Sequence, residues 1–456
     1  MAHQKASLAH AKANPEAFDM SDPGTGKTAV CIWDFAERRR KKGGCLLVLA
    51  PRSLLRAAWA NDFAKFAPDM KVSVATADNR EVAFAADADV YITNHDATKW
   101  LVAQKPALLN KFSDLVVDEA TAYKHHTSQR AKAAYKLSRR PHFTHKRLLT
   151  ATPTSNGICD LWHQMMLLDG GKRLGHLFFQ FRSSVCTPEQ IGFNKNAVKW
   201  HDKDGAEEAV FGLITDVVVR HKFEDCVDIP TTHIYTIDYE LTPKQWKAYK
   251  LMEMTQLLPL VNTKGKPAAL TAVNAAAVAT KLLQIASGAV YDGAGGHQVI
   301  DLARYETIMD MAQARRHPLV FFFWQHQRKA LVAEAEARGM SYCVLDGDAS
   351  DAERVAMVTN YQRGTYDVML AHPQSAAHGL TLTKGTSTIW SGPTYNLEWF
   401  KQGNRRQARI GQAEKTEVIT CIAKDTIEEK IYNQILMPKD ARMGNLLDLF
   451  STMGFA

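Results

Sequence analysis

The chain has 456 residues, 46% hydrophobic and 23% charged, which is enough for two or three domains with sizeable cores. Its 56 Lys and Arg against 48 Asp and Glu give a net charge of +8, which permits a polyanionic partner without requiring one. The seven cysteines form no C-x-x-C pair, which argues against a disulfide framework or a zinc module. No apolar run approaches a membrane span, so we expect a cytoplasmic protein with no membrane partner.

The stretch Asp22–Thr28, DPGTGKT, has the composition of a phosphate-binding loop. Glycines let backbone N–H groups close around phosphate oxygens, a lysine reaches the β- and γ-phosphates, and a threonine hydroxyl ligates Mg²⁺. Ser21 stands where the full pattern has a glycine, and a glycine-rich turn before an unrelated helix is the alternative. The predicted nucleotide contacts are Pro23, Gly24, Thr25, Gly26, Lys27 and Thr28, with Lys27 also catalytic and Thr28 also a metal ligand.

Helix and strand patterns alternate through the first half of the chain. Thr28 to Lys42 predicts an amphipathic helix, whose basic end at Arg38 to Lys42 suits the helix dipole better than a DNA contact. Apolar runs of strand length predict a parallel sheet covered by helices, with ligands bound beyond the carboxyl ends of the strands. These runs are Leu46–Ala50, Asp89–Ile92, Leu115–Val117 and Arg147–Leu149.

Polar clusters follow these strands and carry the predicted chemistry. Asp118 is placed to hold Mg²⁺, directly or through water, and Glu119 to orient or deprotonate a water that attacks the γ-phosphate. The segment Thr150–Thr152 offers two hydroxyls for sensing the phosphate state and relaying it to bound nucleic acid. A capped turn without that role is the alternative.

The second half resumes the alternation from Thr232 but contains no second G-K-[ST] sequence. We therefore predict two domains, residues 1–228 with a helical appendage at about 156–222, and residues 229–456 with a parallel sheet of its own. Val261 to Asn274 is predicted to be a loop.

The segment Gln402–Gln412, QGNRRQARIGQ, is the most informative part of the second half. If it begins as a helix, Gln402, Arg406 and Arg409 share one face. Two guanidiniums and an amide suit the γ-phosphate of a nucleotide held by the other domain, so that hydrolysis depends on domain closure. A solvated basic face and phosphate contacts with nucleic acid are the alternatives.

Together these motifs resemble superfamily 2 helicases and translocases of the Swi/Snf type, over nearly the whole chain. The compact chain, with His372-Pro373 and His378-Gly379, is most similar to helicases encoded by phages and prophages. Thr121 departs from the family's usual histidine in the second motif. The matching segments are Leu46–Pro68, Asp118–Lys124, Leu148–Asn156, Ser375–Thr383, Gln402–Gln412 and Thr426–Ile431.

The resemblance implies an α/β fold of two tandem RecA-like domains with short helical insertions, and a nucleic-acid-stimulated ATPase that uses ATP and Mg²⁺. It implies that Gln4 reads adenine and that Gln402 also binds the nucleotide. Implied contacts to the nucleic-acid backbone, which carry no sequence information, are Arg52, Thr93 or Asn94, Ser375 and Thr381.

The function implied is a monomeric DNA translocase that moves on duplex or branched DNA in a bacterial or phage-infected cell, by domain closure around ATP. A strand-separating helicase on DNA or RNA is the nearest alternative. A non-catalytic nucleic-acid-binding protein is a further one, and the intact Lys27 and Glu119 argue against it.

Overall fold

The computed structural model describes residues 1–190, 198–257, 272–291, 296–376 and 380–441. The chain divides into two compact units, one containing Met1–Thr187 and Trp200–Asp228 and the other containing Pro188–Lys199 and Ile229–Asp440. Most of the loop predicted at Val261 to Asn274 lies outside the described residues, and its last residues begin a helix at Ala272.

Within the described part of the first unit, seven strands form one sheet in the order β3-β4-β2-β5-β6-β1-β9, and each pairing is parallel. This order places the carboxyl ends of β5, β6 and β1 next to one another. The strands in this part of the chain are β1 Glu16–Asp19, β2 Cys45–Ala50, β3 Val72–Ala75, β4 Val90–Asn94, β5 Phe112–Asp118, β6 His145–Leu149, β7 Cys186–Gln190, β8 Val198–Asp202 and β9 Val218–Val219.

Helices surround this sheet, and the apolar face of the second helix packs on it through Ile32 and Phe35, beside Trp59. The helices are α1 Ala2–Ala13, α2 Lys27–Lys42, α3 Asn61–Phe66, α4 Arg80–Ala85, α5 Ala97–Val102, α6 Pro106–Leu109, α7 Gln129–Ser138, α8 Asp160–Asp169, α9 Phe178–Val185, α10 Ala206–Ile214 and α11 Phe223–Cys226. A π-helical turn covers Leu55–Ala60, and 3₁₀ turns cover Ala120–Tyr123 and Thr215–Val217.

The segment at about 156–222, predicted to be a helical appendage, contains the helices α8, α9 and α10 but also strands. It contains β7 and β8, which form a two-stranded sheet, and it ends in β9, which pairs with β1 of the main sheet. β9 is only two residues long, so no periodic pattern marks it in the sequence.

Four basic residues at the end of α2 form ion pairs within the first unit. Arg38 pairs with Asp34 and Asp114, Arg39 with Asp89, Arg40 with Asp69 and Lys41 with Glu37. Gly43, at a φ of +74°, ends the helix. This run therefore has a structural role, as the sequence favoured.

In the described part of the second unit, six strands form a parallel sheet in the order β10-β17-β16-β13-β15-β14, and β11 pairs antiparallel with β12. Val320, Leu370 and Ile389 of neighbouring central strands are fully buried in its core. The strands are β10 Thr232–Tyr239, β11 Ala289–Tyr291, β12 His297–Val299, β13 Leu319–Phe321, β14 Tyr342–Leu345, β15 Val368–Ala371, β16 Ser387–Trp390 and β17 Thr416–Ala423.

Helices alternate with these strands, as expected for parallel crossovers. They are α12 Pro243–Leu257, α13 Ala272–Ala286, α14 Ala303–Gln313, α15 Gln325–Ala337, α16 Asp351–Arg363, α17 Pro373–Ala376, α18 Leu397–Asn404 and α19 Ile427–Ile431, followed by a π-helical turn at Tyr432–Leu436.

A buried ion pair joins α14 to α19 in the second unit. Both guanidinium nitrogens of Arg304 lie 2.8 Å from the carboxylate oxygens of Glu428, and the two residues are 1% and 2% exposed. Arg304 also donates to the backbone oxygen of Cys421 in β17. The pair therefore ties two helices to the sheet, and removing one partner leaves a buried charge without compensation.

We expect Arg304→Met to destabilise the second unit by roughly 3–5 kcal/mol, because Glu428 would remain buried without its cation. The measurement is native-state hydrogen exchange of the β17 amides. The matched control is Arg316→Met, which breaks an exposed 2.7 Å ion pair with Glu414 and should cost less than about 1 kcal/mol. Equal effects of the two variants would contradict the expectation.

Candidate nucleotide-binding site

The loop between β1 and α2 has a backbone that only glycine adopts without strain at two positions. Gly24 and Gly26 both have a φ of +90°. A Cβ atom at Gly26 would lie 2.1 Å from Nε2 of Gln4, so alanine there would displace the Gln4 amide. The loop leads directly into the first turn of α2, where helix N–H groups without intrahelical partners are available to an anion.

Lys27 lies across this loop. Its Nζ donates to the backbone oxygen of Ser21 at 2.6 Å and to that of Asp22 at 3.0 Å. The hydroxyl of Thr25 donates to the same Asp22 oxygen at 2.9 Å. The loop's own carbonyl groups therefore hold the Lys27 ammonium in this structure, and Thr28 follows in the same helical turn.

Asp118, the last residue of β5, is 7% exposed. Its Oδ2 accepts a 2.9 Å hydrogen bond from Nε1 of Trp59, and its Oδ1 accepts from the backbone N–H of Glu119 at 3.1 Å. Burial raises the pKa of Asp118, whereas the Trp59 bond, the Lys27 charge and the Glu119 N–H act in the opposite direction. The loop lysine and the predicted metal ligand therefore interact electrostatically.

Glu119 has a φ of +50°, a left-handed conformation that is uncommon for a residue with a side chain. Its Oε2 accepts a 3.2 Å hydrogen bond from the hydroxyl of Thr150, which directly follows β6. The structure thus joins the predicted catalytic carboxylate to the predicted sensor threonine, through two adjacent strands of the sheet. A capped turn also forms here, because Thr150 Oγ1 accepts from the N–H of Thr152.

These residues fit ATP and Mg²⁺. At Gly24 and Gly26 the backbone packs so closely that a Cβ would meet the Phe223 and Gln4 side chains, and the Lys27 charge acts on the buried Asp118 carboxylate. Among the described residues, no group of three or more His, Cys, Asp or Glu side chains forms a metal cluster. Mg²⁺ commonly binds through one or two protein oxygens, substrate phosphates and water. Asp118 and Thr28 would supply the protein oxygens.

The first helix places Gln4 against the loop between β1 and α2. Gln4 Nε2 donates to the backbone oxygen of Thr25 at 3.3 Å, and Nε2 of His3 lies 2.8 Å from the same oxygen. The His3 ring packs edge-on against His221, with centroids 5.6 Å apart. The reading of adenine by Gln4 stays a prediction.

The shared helical face predicted for Gln402, Arg406 and Arg409 is wrong, because α18 ends at Asn404. Beyond it, bonds to other strands and loops replace helical ones, such as the 2.9 Å bond from the Leu382 N–H to the Arg406 oxygen.

The two guanidiniums nevertheless meet. Arg406 donates to the backbone oxygen of Leu380 at 3.1 Å, and Arg409 donates to it at 2.7 Å. Arg406 also donates from Nε to the Gln402 oxygen at 2.7 Å. A common carbonyl, rather than a helix face, therefore groups the two arginines.

One of the predicted DNA contacts is corrected by the structure. Thr93 is fully buried, and its hydroxyl donates to the Ala75 oxygen at 2.9 Å, so it is not available to a phosphate. Asn94, the alternative at this position, is partly exposed. Of the other predicted contacts, Arg52 is exposed, and Ser375 and Thr381 are partly exposed.

Two contributors were missed by sequence reasoning. Trp59 was noted only as part of a resembling segment, and its indole N–H donates to the proposed metal ligand. No role was predicted for Arg220, which lies in the appendage predicted at about 156–222, yet its guanidinium donates to the Asp22 carboxylate. No motif spacing connects residues that are 198 positions apart.

Comparison with protein families matches residues 19–286 to the SNF2-related domain and residues 303–411 to the helicase conserved C-terminal domain. The first match covers more than half of the chain. The chain belongs to the SNF2-related family. This SNF2-related protein is a nucleic-acid-stimulated ATPase of superfamily 2, Swi/Snf type, with two parallel-sheet α/β units covered by helices.

Among its relatives, protein p41 of Acyrthosiphon pisum secondary endosymbiont phage 1 is 28% identical over 408 residues, which are 84% of each chain. An uncharacterized ATP-dependent helicase of Mycoplasma pneumoniae is 25% identical over 90% of this chain. This chain covers only 38% of that helicase's length. The phage relative agrees with the resemblance found in the sequence.

One solved structure, the Sulfolobus solfataricus SWI2/SNF2 ATPase core in complex with dsDNA, is 22% identical. The alignment covers 99% of this chain and 95% of the Sulfolobus chain, with a TM-score of 0.43. In the described parts of the chain, no helix combines the length and the apolar character needed to cross a membrane.

Proposed function

We propose that this protein is an ATP-dependent DNA translocase that couples ATP hydrolysis to movement on duplex or branched DNA, as in remodelling or branch migration. One observation carries the proposal most strongly. The phosphate loop, Asp118, Glu119 and Thr150 converge at the carboxyl ends of three adjacent parallel strands, with Thr150 bonded to Glu119 at 3.2 Å. Family membership and the net charge of +8 add support.

In the proposed reaction, loop N–H groups and the Lys27 ammonium bind the β- and γ-phosphates. Bound Mg²⁺ would neutralise charge on the phosphate oxygens. Glu119 orients a water molecule and takes its proton. The water oxygen bonds to the γ-phosphorus as the bond between the γ-phosphorus and the bridging oxygen of the β-phosphate breaks. Thr150 holds the Glu119 carboxylate in position by its hydrogen bond.

We further propose two domains, residues 1–228 and 229–456, whose closure around ATP brings Arg406 and Arg409 to the γ-phosphate. Guanidiniums are suited to this role because charge on the transferring phosphoryl group needs stabilisation in the transition state. Both side chains donate to the Leu380 oxygen, and this shared acceptor keeps the two guanidiniums side by side. The arrangement supports a joint role.

On DNA, we propose that Arg52, Asn94, Ser375 and Thr381 contact backbone phosphates, so that binding depends on duplex shape and not on sequence. The protein would act as a monomer in the cytoplasm of a bacterial or phage-infected cell. The phage relative, aligned over 84% of both chains, supports that setting.

The proposal is tested by measuring ATP hydrolysis with single-stranded, duplex, forked and four-way DNA, and with RNA, at one salt concentration. We expect the largest stimulation from duplex or branched DNA. Stimulation by RNA alone would reject the proposal. Stimulation by single-stranded DNA together with ATP-dependent strand displacement would favour a strand-separating helicase.

A further inference from the structure

The residues that follow β9 run alongside the phosphate loop. The pairing of β9 with β1 continues beyond both strands, since the Met20 N–H donates to the Val219 oxygen at 2.9 Å and the Asp22 N–H to the His221 oxygen at 3.0 Å. We name residues Arg220–Phe223 the connector segment, because the chain passes from the first unit to the second after Asp228, a few residues later.

The connector segment holds the Asp22 carboxylate at both oxygens. The Arg220 guanidinium donates to Oδ1 at 3.1 Å, and the backbone N–H of Phe223 donates to Oδ2 at 3.0 Å. Arg220 also donates to the Met20 backbone oxygen, and its side chain is only 5% exposed. A buried guanidinium bonded to a carboxylate is a strong and directional contact.

Asp22 transmits this contact to the lysine. The backbone oxygen of the same residue accepts from Lys27 Nζ at 3.0 Å and from the Thr25 hydroxyl at 2.9 Å. The connector therefore fixes the residue whose carbonyl holds the predicted phosphate-binding ammonium. Arg220 does not contact Lys27 through this oxygen itself but acts through Asp22, which lies between the two side chains.

Two further contacts set the loop's shape. The Phe223 ring, fully buried, lies so close to Gly24 that a Cβ there would be 2.8 Å from Cε2 of the ring. The His221 N–H donates to the hydroxyl of Ser21 at 2.9 Å, and Ser21 is 1% exposed. Ser21, the departure from the usual glycine, thus accepts a bond that glycine has no side chain to accept.

We propose that the connector segment sets the conformation of the phosphate loop and thereby the affinity for ATP, with Arg220 and Phe223 as positioning residues that act through Asp22 and Gly24. This inference rests on the proposed ATP-driven function. It predicts an effect on ATP binding more than on the chemical step, because Glu119 and the second-unit arginines are untouched.

The test uses the full chain and compares wild type with Arg220→Lys, Asp22→Asn and the double variant, in ATP hydrolysis with saturating duplex DNA. Lysine keeps the charge but cannot donate to Met20 and Asp22 in the same fork geometry. We expect each single variant to raise the KM for ATP about 10-fold with kcat within about 3-fold, the signature of lost uniform binding. The double variant should raise KM little beyond the larger single effect, since both changes disrupt the same contact between Arg220 and Asp22.

The matched control is Arg39→Lys, because Arg39 forms an ion pair with Asp89 at 2.6 Å in the last turn of α2, at the opposite end of that helix from the loop. It should leave both constants unchanged. A KM for Arg220→Lys within about 2-fold of wild type, or additive effects in the double variant, would overturn the inference. If Arg220→Lys has a lower melting temperature than the wild type, the test rests on Phe223→Leu, which removes the ring that packs against Gly24. The inference then requires that this variant alone raises the KM for ATP.

Failure of this inference is distinguishable from failure of the proposed function. Wild type that hydrolyses no ATP with any nucleic acid rejects the function. Wild type that hydrolyses ATP, with connector variants that match it, rejects only the positioning role.

Discussion

Glu119→Gln is expected to lower DNA-stimulated ATP hydrolysis by at least about 100-fold while ATP binding stays near wild type. Glutamine keeps the length of the side chain and an oxygen that accepts from the Thr150 hydroxyl, which lies 3.2 Å from the carboxylate. It cannot take a proton from the attacking water. The phosphate loop is unchanged, so the variant should bind ATP and hold it.

The measurement combines a phosphate-release assay with binding of fluorescent ATP, both with duplex DNA present. The control is Glu81→Gln, an exposed glutamate in the first turn of α4, which should behave as wild type. If Glu119→Gln hydrolyses ATP faster than about a tenth of the wild-type rate, Glu119 is not the base.

Lys27→Ala is expected to lower both ATP binding and hydrolysis, with hydrolysis reduced by roughly 100- to 1,000-fold. Charge-assisted hydrogen bonds contribute about 1.5–3 kcal/mol each, and alanine would remove those to the phosphates. It would also remove the bonds to the Ser21 and Asp22 oxygens, which are 2.6 and 3.0 Å long and hold the loop together.

The control is Lys41→Ala in the last turn of the same helix, where an exposed lysine pairs with Glu37 at 2.9 Å. This variant should retain hydrolysis. A measurement of ATP binding distinguishes the two variants, because Lys27→Ala is expected to lose binding and Glu119→Gln to keep it. Robust DNA-stimulated hydrolysis in Lys27→Ala would contradict the assignment of the loop as the nucleotide site.

The central strands and the loop could be predicted from sequence because their signals are local. Leu46–Ala50 is an uninterrupted apolar run, as expected of a strand buried on both faces, and it lies within β2. The run GTGKT places glycines at the two loop positions where the backbone has a φ of +90°. In both, the local sequence carries the signal, although the distant connector segment also holds the loop through Asp22.

Other features could not be predicted because distant residues determine them. β1 has only four residues, Glu16–Asp19, with no long apolar pattern, and it is a strand because it pairs with β6 and β9. The end of α18 at Asn404 depends on bonds such as that from Leu382 to Arg406. Helical spacing therefore misplaced the arginines, although their chemical type was informative.

The central claim is that ATP hydrolysis drives movement along duplex DNA. It is tested most directly by displacement of a third strand from a DNA triplex, with the entry site on the flanking duplex. We predict displacement with ATP by the wild-type protein, and none with Glu119→Gln or without ATP. Vigorous duplex-stimulated ATP hydrolysis without any displacement would contradict the account.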